Sequence, residues 1–364
     1  MLLKRLLLAA AVAAASLPAG AAARSAPAYK GAIATDASTG AVLFEDNADA
    51  VSPPASMTKL MTYAVLCDEM RKGALSLDTK VTVTYDDAKV GLQRDSTVVW
   101  LRQGEVFPVE ELIYAMFIHS ANDAAYALAH KAGGTVAAFV AMMNAKAREL
   151  GMLHSTFRTP HGFPPPSRRI ADGDLTTPRD YSVLCRYLLL HTDVLKYASV
   201  KNRPFGLGYR LQPVQMANHN HLLGKIPGVD GLKTGFTSGA GFCLAATAQR
   251  DGRRVIVVMM DSPDPTTRDL NVRDLLTRVK PGGSVYISLP NVACFYVRLG
   301  LLLGKIVNPI VLGLMFFLVF APAALCLRLA GKDPLRLKKP IDGKSYWIPR
   351  DPPGPDPESM RLQF

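Results

Sequence analysis

Three short polar motifs, far apart along a largely apolar chain, constrain its fold more than any other feature. They are Ser56-Met57-Thr58-Lys59, Ser120-Ala121-Asn122 and Lys233-Thr234-Gly235. A serine hydroxyl is unreactive at neutral pH and needs a base within hydrogen-bond reach to become a nucleophile. Lys59 stands three residues after Ser56, so a helix opening near Ala55 places both on one face. Pro53-Pro54 blocks a strand there and favours that helix start. The second motif follows an apolar helical run at 112–118, and the third lies in a strand-like run. A fold that uses all three brings a helix start, a helix end and a strand to one point.

The rest of the pattern supports such a fold. GAIATDASTGAVLFEDNAD has two apolar runs joined by a turn signal and reads as a β-hairpin. Residues 109–195 are mostly helical in pattern, broken by a loop at 161–177 that carries Pro164-Pro165-Pro166. Then come GLKTGFT, FCLAATAQR and VIVVMM, with Asp251-Gly252 as a tight turn between the last two. Strands first, helices in the middle and strands last predict an α+β fold, an antiparallel sheet flanked by helices. At 49% hydrophobic residues the chain can fill such a core.

Composition narrows the function classes. The net charge of +12 is scattered, with no basic stripe interleaved with aromatics, which argues against nucleic acid and for an anionic wall or membrane surface. The five cysteines are widely spaced, without a CxxC pair, and read as small buried hydrophobes rather than a disulfide or zinc framework. His219 and His221 lack partner ligands, so neither a metal nor a cofactor is expected.

The three motifs, with the stretches PPASMTKLMT, HSANDAAYALA and PGVDGLKTGFTSGAGFCLAATA, resemble the penicillin-binding family of serine D-alanyl-D-alanine carboxypeptidases. The likeness covers 26–280. It implies the β-lactamase/transpeptidase-like fold, Ser56 as nucleophile and Lys59 as its base, with the Lys59 pKa depressed by burial and by Lys233. Ser120 would relay a proton, and Asn122 would donate its amide to the substrate. Their plain alternative is a helix cap. Lys233 and Thr234 would face a substrate carboxylate along an edge strand, where Gly235 permits close backbone approach. The N–H groups of Ser56 and Phe236 would form the oxyanion hole. Arg268 aligns with an arginine that holds the terminal carboxylate; its alternative is a solvated side chain. His161, at the start of the loop, reads as structural.

The implied substrate is a peptidoglycan stem peptide, and β-lactams would acylate Ser56 in the same way. A class A-like β-lactamase is a rival reading. It needs a loop glutamate to activate the deacylating water, and 161–177 holds Asp172 and Asp174 but no Glu. A catalytically idle membrane scaffold protein is the rival from another class.

The two ends have their own logic. Residues 1–23 have Lys4 and Arg5, an apolar run and small residues at 21–23, the pattern of a signal peptide. Residues 306–327 are uncharged and long enough to span a bilayer. Arg328, Lys332, Arg336, Lys338, Lys339 and Lys344 follow, which places that side in the cytoplasm. The stretch 289–304 is apolar but contains Arg298 and reads as interfacial. The expected order is a leader at 1–23, a peptidase domain at 26–280, an interfacial stretch and membrane helix at 281–331, and a basic Pro-rich tail at 332–364. The expected location is the inner membrane, crossed once, with the peptidase domain periplasmic. In place of the family's β-rich spacer, GKIVNPIVLGLMFFLVFAPAALCLRLAGKDPLRLKKP resembles short bacterial membrane proteins of saxitoxin-type operons.

Overall fold

The computed structural model describes residues 28–278 and Leu329. The expected leader, the stretch 289–304, the run 306–327 and the tail at 332–364 lie outside the described residues. Among the described residues no helix is long and apolar enough to cross a membrane.

The expected hairpin forms β1 (Gly31–Asp36) and β2 (Val42–Asp46). A 3-10 turn at Ala55–Thr58 then leads into α1 (Lys59–Arg71). Next are β3 (Lys80–Thr82), α2 (Tyr85–Lys89) and β4 (Val106–Pro108). The helical middle comprises α3 (Val109–Ile118), α4 (Asn122–Gly133), α5 (Val136–Glu149), α6 (Pro178–His191) and α7 (Val194–Ala198). The chain then returns to strands with β5 (Asn202–Phe205), β6 (Val214–Ala217), β7 (Val229–Thr237), β8 (Gly241–Arg250) and β9 (Arg253–Ser262), and α8 (Pro265–Arg278) follows.

One five-stranded antiparallel sheet, in the order β2-β1-β9-β8-β7, organises the domain. The N-terminal hairpin docks on the last strand, with Ile33 opposite Val258, so the two ends of the domain close on each other. Successive side chains on a strand point to opposite faces, and the core divides accordingly. Ile33, Ala245, Ile256 and Val258 face a large cluster with α1 and the middle helices. Ala32, Ala34, Leu244, Val257 and Met259 face a smaller cluster completed by Val272, Leu275 and Leu276 of α8. The α+β expectation therefore holds, with helices on both faces. Two small two-stranded sheets, β3–β4 and β5–β6, were not anticipated. Their strands are three or four residues long and include Pro108 and Pro204, which weakens any strand signal.

Helix α1 is buried from Lys59 through Cys67. A helix buried all round is a rigid platform, here for the turn that carries Ser56. The loop before α6 straps that turn down. Thr58 Oγ1 donates to Asp174 at 2.8 Å, and Thr62 Oγ1 donates to the Pro160 carbonyl at 2.6 Å. Asp174 also accepts from Arg158 N, Thr159 N and Thr159 Oγ1. Cys67, Cys185 and Cys243 are free and buried, as small hydrophobes should be.

Gly162 is where strap and turn meet most tightly. Its φ is +79°, and a Cβ there would lie 1.8 Å from the Ala55 carbonyl oxygen. Substituting Gly162→Ala therefore forces backbone to move, at a cost of about 1–3 kcal/mol. The expected result is a thermal midpoint lower by roughly 2–4 °C per kcal/mol, followed by circular dichroism. An unchanged midpoint would show that the strap yields freely.

Candidate active site

The first two motifs meet at one buried amine, and the third acts on it through the charge of Lys233. Lys59 is 1% exposed, and its Nζ donates to Ser56 Oγ at 2.9 Å, Asn122 Oδ1 at 2.6 Å and the His161 carbonyl at 2.9 Å. Helical geometry supplies the first contact, since Ser56 lies one turn before Lys59. The second comes from the first residue of α4. The third comes from the strap loop. An ammonium has three donors, and all three are occupied. Burial pushes the Lys59 pKa well below the usual lysine range, and the Lys233 charge pushes it further; Asp123 and Asp174 act in the opposite sense.

Lys233 lies on β7, the edge strand next to the Ala55–Thr58 turn. It is 3% exposed and donates to the Thr234 carbonyl at 3.2 Å. Burial, with a smaller contribution from the Arg268 charge, pushes its pKa down to about 7. Thr234 is buried, whereas Phe236 is exposed and stacked on Phe242 across the strand pair, 4.1 Å between ring centroids. Gly235 earns its place by close approach, as expected, but to the protein's own chain. A Cβ there would meet the Pro54 carbonyl oxygen at 2.5 Å and Met57 N at 3.2 Å. The strand can thus press against the nucleophile turn.

Ser120 and Asn122 sit in the tight turn between α3 and α4. Ser120 is buried, with φ of 60°. Neither residue caps α4, since Ala121 holds the N-cap position without a side-chain cap bond, and Asn122 is the helix's first residue. Its side chain bridges Lys59 to Ser96, whose Oγ accepts from Asn122 Nδ2 at 3.0 Å. The next residue, Asp123, is fully buried and accepts from the N–H groups of Val99, Leu101 and Ala124. It locks residues 97–101 against the start of α4.

Arg268 is not a solvated arginine. It is 3% exposed on α8, close enough to lower the Lys233 pKa, and its Nε and Nη2 donate to Asp269 Oδ1 at 2.9 and 2.7 Å. His161 contributes a main-chain oxygen to Lys59, while its buried ring accepts from Phe163 N. Burial pushes that ring's pKa down to about 3 and Lys59 adds to the effect, so the imidazole is neutral. The ring thus holds the loop, in keeping with a structural reading, but its carbonyl holds the amine. Asp172 is tied to Ser167 and Arg169 and Asp174 to Thr58, so both loop acids are occupied in holding structure.

Ser96, Asp123 and the His161 carbonyl are the site residues that sequence reasoning missed. Asp123 adjoins a motif, which is a weak signal. A main-chain carbonyl carries none.

A family model described as D-alanyl-D-alanine carboxypeptidase matches residues 19–264. A second, described as saxitoxin biosynthesis operon protein SxtJ, matches residues 286–336. The chain is 36% identical to D-alanyl-D-alanine carboxypeptidase DacC of Escherichia coli, over 65% of this chain and 57% of that protein. It is 30% identical to D-alanyl-D-alanine carboxypeptidase DacF of Bacillus subtilis, over 65% of this chain and 58% of the relative. It therefore spans less than two thirds of the length of these curated relatives. Among solved structures it resembles penicillin-binding protein D2 of Listeria monocytogenes in its ampicillin-bound form, at 30% identity and a TM-score of 0.60, over 70% of this chain and 98% of that one. By motif set, fold and family match, this chain belongs to the D-alanyl-D-alanine carboxypeptidase family.

Proposed function

We propose that the chain is a serine-type D-Ala-D-Ala carboxypeptidase that removes the terminal D-alanine of peptidoglycan stem peptides. The observation that carries this reading is the buried Lys59 amine, 2.9 Å from the Ser56 hydroxyl and fixed by two further acceptors. When the amine is neutral, its two N–H groups stay on Asn122 and His161, and its lone pair turns to the Ser56 hydroxyl. Ser56 Oγ then attacks the carbonyl between the two D-alanines as its proton passes to Lys59. Ser120 relays the proton to the leaving amine, the peptide bond breaks, and free D-alanine departs. Water hydrolyses the ester and regenerates Ser56. The N–H groups of Ser56 and Phe236 receive the developing oxyanion, a contribution of about 3–4 kcal/mol where one such donor has been removed from a protease. The spare N–H of Asn122 serves the substrate amide, while Lys233, Thr234 and Arg268 serve the terminal carboxylate. β-Lactams are inhibitors that acylate Ser56 by the same attack. With Asp172 and Asp174 occupied, rapid hydrolysis of that ester by a class A-like route has no base on the loop.

The leader at 1–23, the span at 306–327 and the basic residues after it support an inner-membrane protein crossed once, with Ser56 periplasmic. A second span at 289–304 would bury Arg298, at about 2.5–3.5 kcal/mol on insertion scales. The match to SxtJ at 286–336 supports a distinct C-terminal module.

Fluorescent penicillin tests the nucleophile. The full chain should label covalently, and Ser56→Ala should lose labelling by roughly 10⁴-fold or more while keeping its circular dichroism spectrum. Labelling that survives would exclude Ser56. The pH dependence of acylation tests the base. Because the Lys233 charge lowers the Lys59 pKa, Lys233→Met should raise it. The rising acidic limb of the acylation profile should then move to higher pH in that variant. A limb that stays in place would mean that Lys59 is not the titrating base. For topology, alkaline phosphatase fused after Phe364 should be inactive, since it needs the periplasm to fold. An active fusion would place the tail outside.

A further inference from the structure

The segment between α2 and β4 carries an outlier that the reaction at Ser56 does not use. Trp100 has a φ of 57°, a left-handed conformation that a bulky side chain adopts only under constraint. The constraint comes from both sides. The flanking N–H groups of Val99 and Leu101 donate to the Asp123 carboxylate at 3.2 and 3.0 Å. Arg210 donates to the Val99 and Trp100 carbonyls at 2.7 and 2.9 Å. A strained backbone held this firmly has the effect of turning a large aromatic outward, and Trp100 is 61% exposed.

The indole does not stand alone. It walls a hollow of about 440 Å³ shared with Tyr85, Leu92, Lys89 and Arg102. Tyr85 and Leu92 are themselves exposed. Gly91 lies beside the ring, where a Cβ would make ordinary contact with Trp100 Cε3 at 3.9 Å. The volume is that of a small-ligand site, and grouped exposed apolar side chains mark a binding surface. Both charged groups in the lining are cations, and no carboxylate lines the hollow.

We propose that this hollow is a glycan subsite, in which Trp100 stacks on an N-acetylhexosamine ring of peptidoglycan while Lys89 and Arg102 pair with carboxylates of the attached stem peptide. The assignment rests on the reading that Ser56 acts on stem peptides. A sugar ring has an apolar C–H face and a polar rim, the complement of an indole face bordered by cations and a phenol. The segment that carries the indole is also tied to the reaction centre. Asn122 N donates to the Thr97 carbonyl at 2.8 Å, and Asn122 Nδ2 donates to Ser96 at 3.0 Å. One rigid segment thus carries the Trp100 indole and braces the residue that holds Lys59.

The test uses the full chain and two substrates, a pentapeptide ending in D-Ala-D-Ala and the same peptide carrying a GlcNAc-MurNAc disaccharide. The sugar should lower KM about tenfold, near the upper end of what one stacked aromatic face contributes, with kcat little changed. Trp100→Gly, which suits the left-handed backbone, should erase that advantage, and Trp100→Phe should keep most of it. Benzylpenicillin acylation of each variant reports whether the Ser56 site is intact. A wild-type chain that turns over the bare peptide but gains nothing from the sugar overturns the subsite and leaves the Ser56 reading standing. Binding is also measured without turnover, by tryptophan fluorescence of the Ser56→Ala chain titrated with the free disaccharide. The chain has two tryptophans, so a saturable change that disappears when Trp100→Phe removes one of the two fluorophores is located at Trp100 and supports the proposal. No change overturns it, even if the chain proves not to cleave peptides. If Trp100→Gly loses binding to anionic phospholipid vesicles while the KM ratio stays at its wild-type value, the face is a membrane contact and the glycan subsite is overturned.

Discussion

A lysine amine held inside the protein by three oxygens is the interaction on which this architecture depends. An isolated ammonium moved out of water costs several kcal/mol even after relaxation, so Lys59 is tolerable only if it is fully bonded or neutral. Its three acceptors come from the turn before α1, the start of α4 and the loop before α6. Losing the alignment of any one would leave a buried polar group unsatisfied, at about 1–3 kcal/mol or more. The chemistry and the packing therefore set the same requirement. The nearby carboxylates respect it. Asp123 accepts from three backbone N–H groups and Asp174 from Thr58, Arg158 and Thr159. Neither forms an ion pair with Lys59 that would fix its charge.

Buried acids do a similar architectural task elsewhere, each bracing a loop whose backbone would otherwise lack partners. Glu111 accepts from Gly206 N at 2.7 Å and pairs with Arg203 at 2.6 Å. Asp180 accepts from His154 N and Ser155 Oγ. Asp123 is the most consequential of them, because it fixes the Trp100 backbone on one side and the start of α4 on the other.

Much of this was legible in the chain. The Asp251-Gly252 turn, the apolar runs of β8 and β9 and the proline-initiated helical start at Ala55 are local signals, and the structure has each in place, the last as a 3-10 turn. What was not legible depended on contacts across long sequence separations. The His161 carbonyl lies 102 residues from Lys59, and no side-chain pattern marks a main-chain acceptor. The sequence suggests that Gly235 permits close backbone approach to a ligand, whereas much of the space is taken by the Pro54 carbonyl. Arg268 was open between a carboxylate clamp and a solvated side chain. Its burial removes the second reading, and its pairing with Asp269 means that the proposed clamp would have to share the guanidinium.

That sharing bears on how the two lysines divide the proton. Arg268 lowers the Lys233 pKa, and the Lys233 charge in turn lowers that of Lys59. A substrate carboxylate arriving beside Arg268 and Lys233 would add a negative charge and favour the protonated form of Lys233. A charged Lys233 then disfavours charge on Lys59, and a neutral Lys59 is the state that the proposed attack requires. The carboxylate's own charge acts on Lys59 in the opposite sense, so the nearer of the two groups sets the net effect on the base. In such a coupled pair the titration belongs to both amines rather than to either one. A carboxylate-free acyl donor would forgo this coupling and depend on burial alone to keep Lys59 neutral.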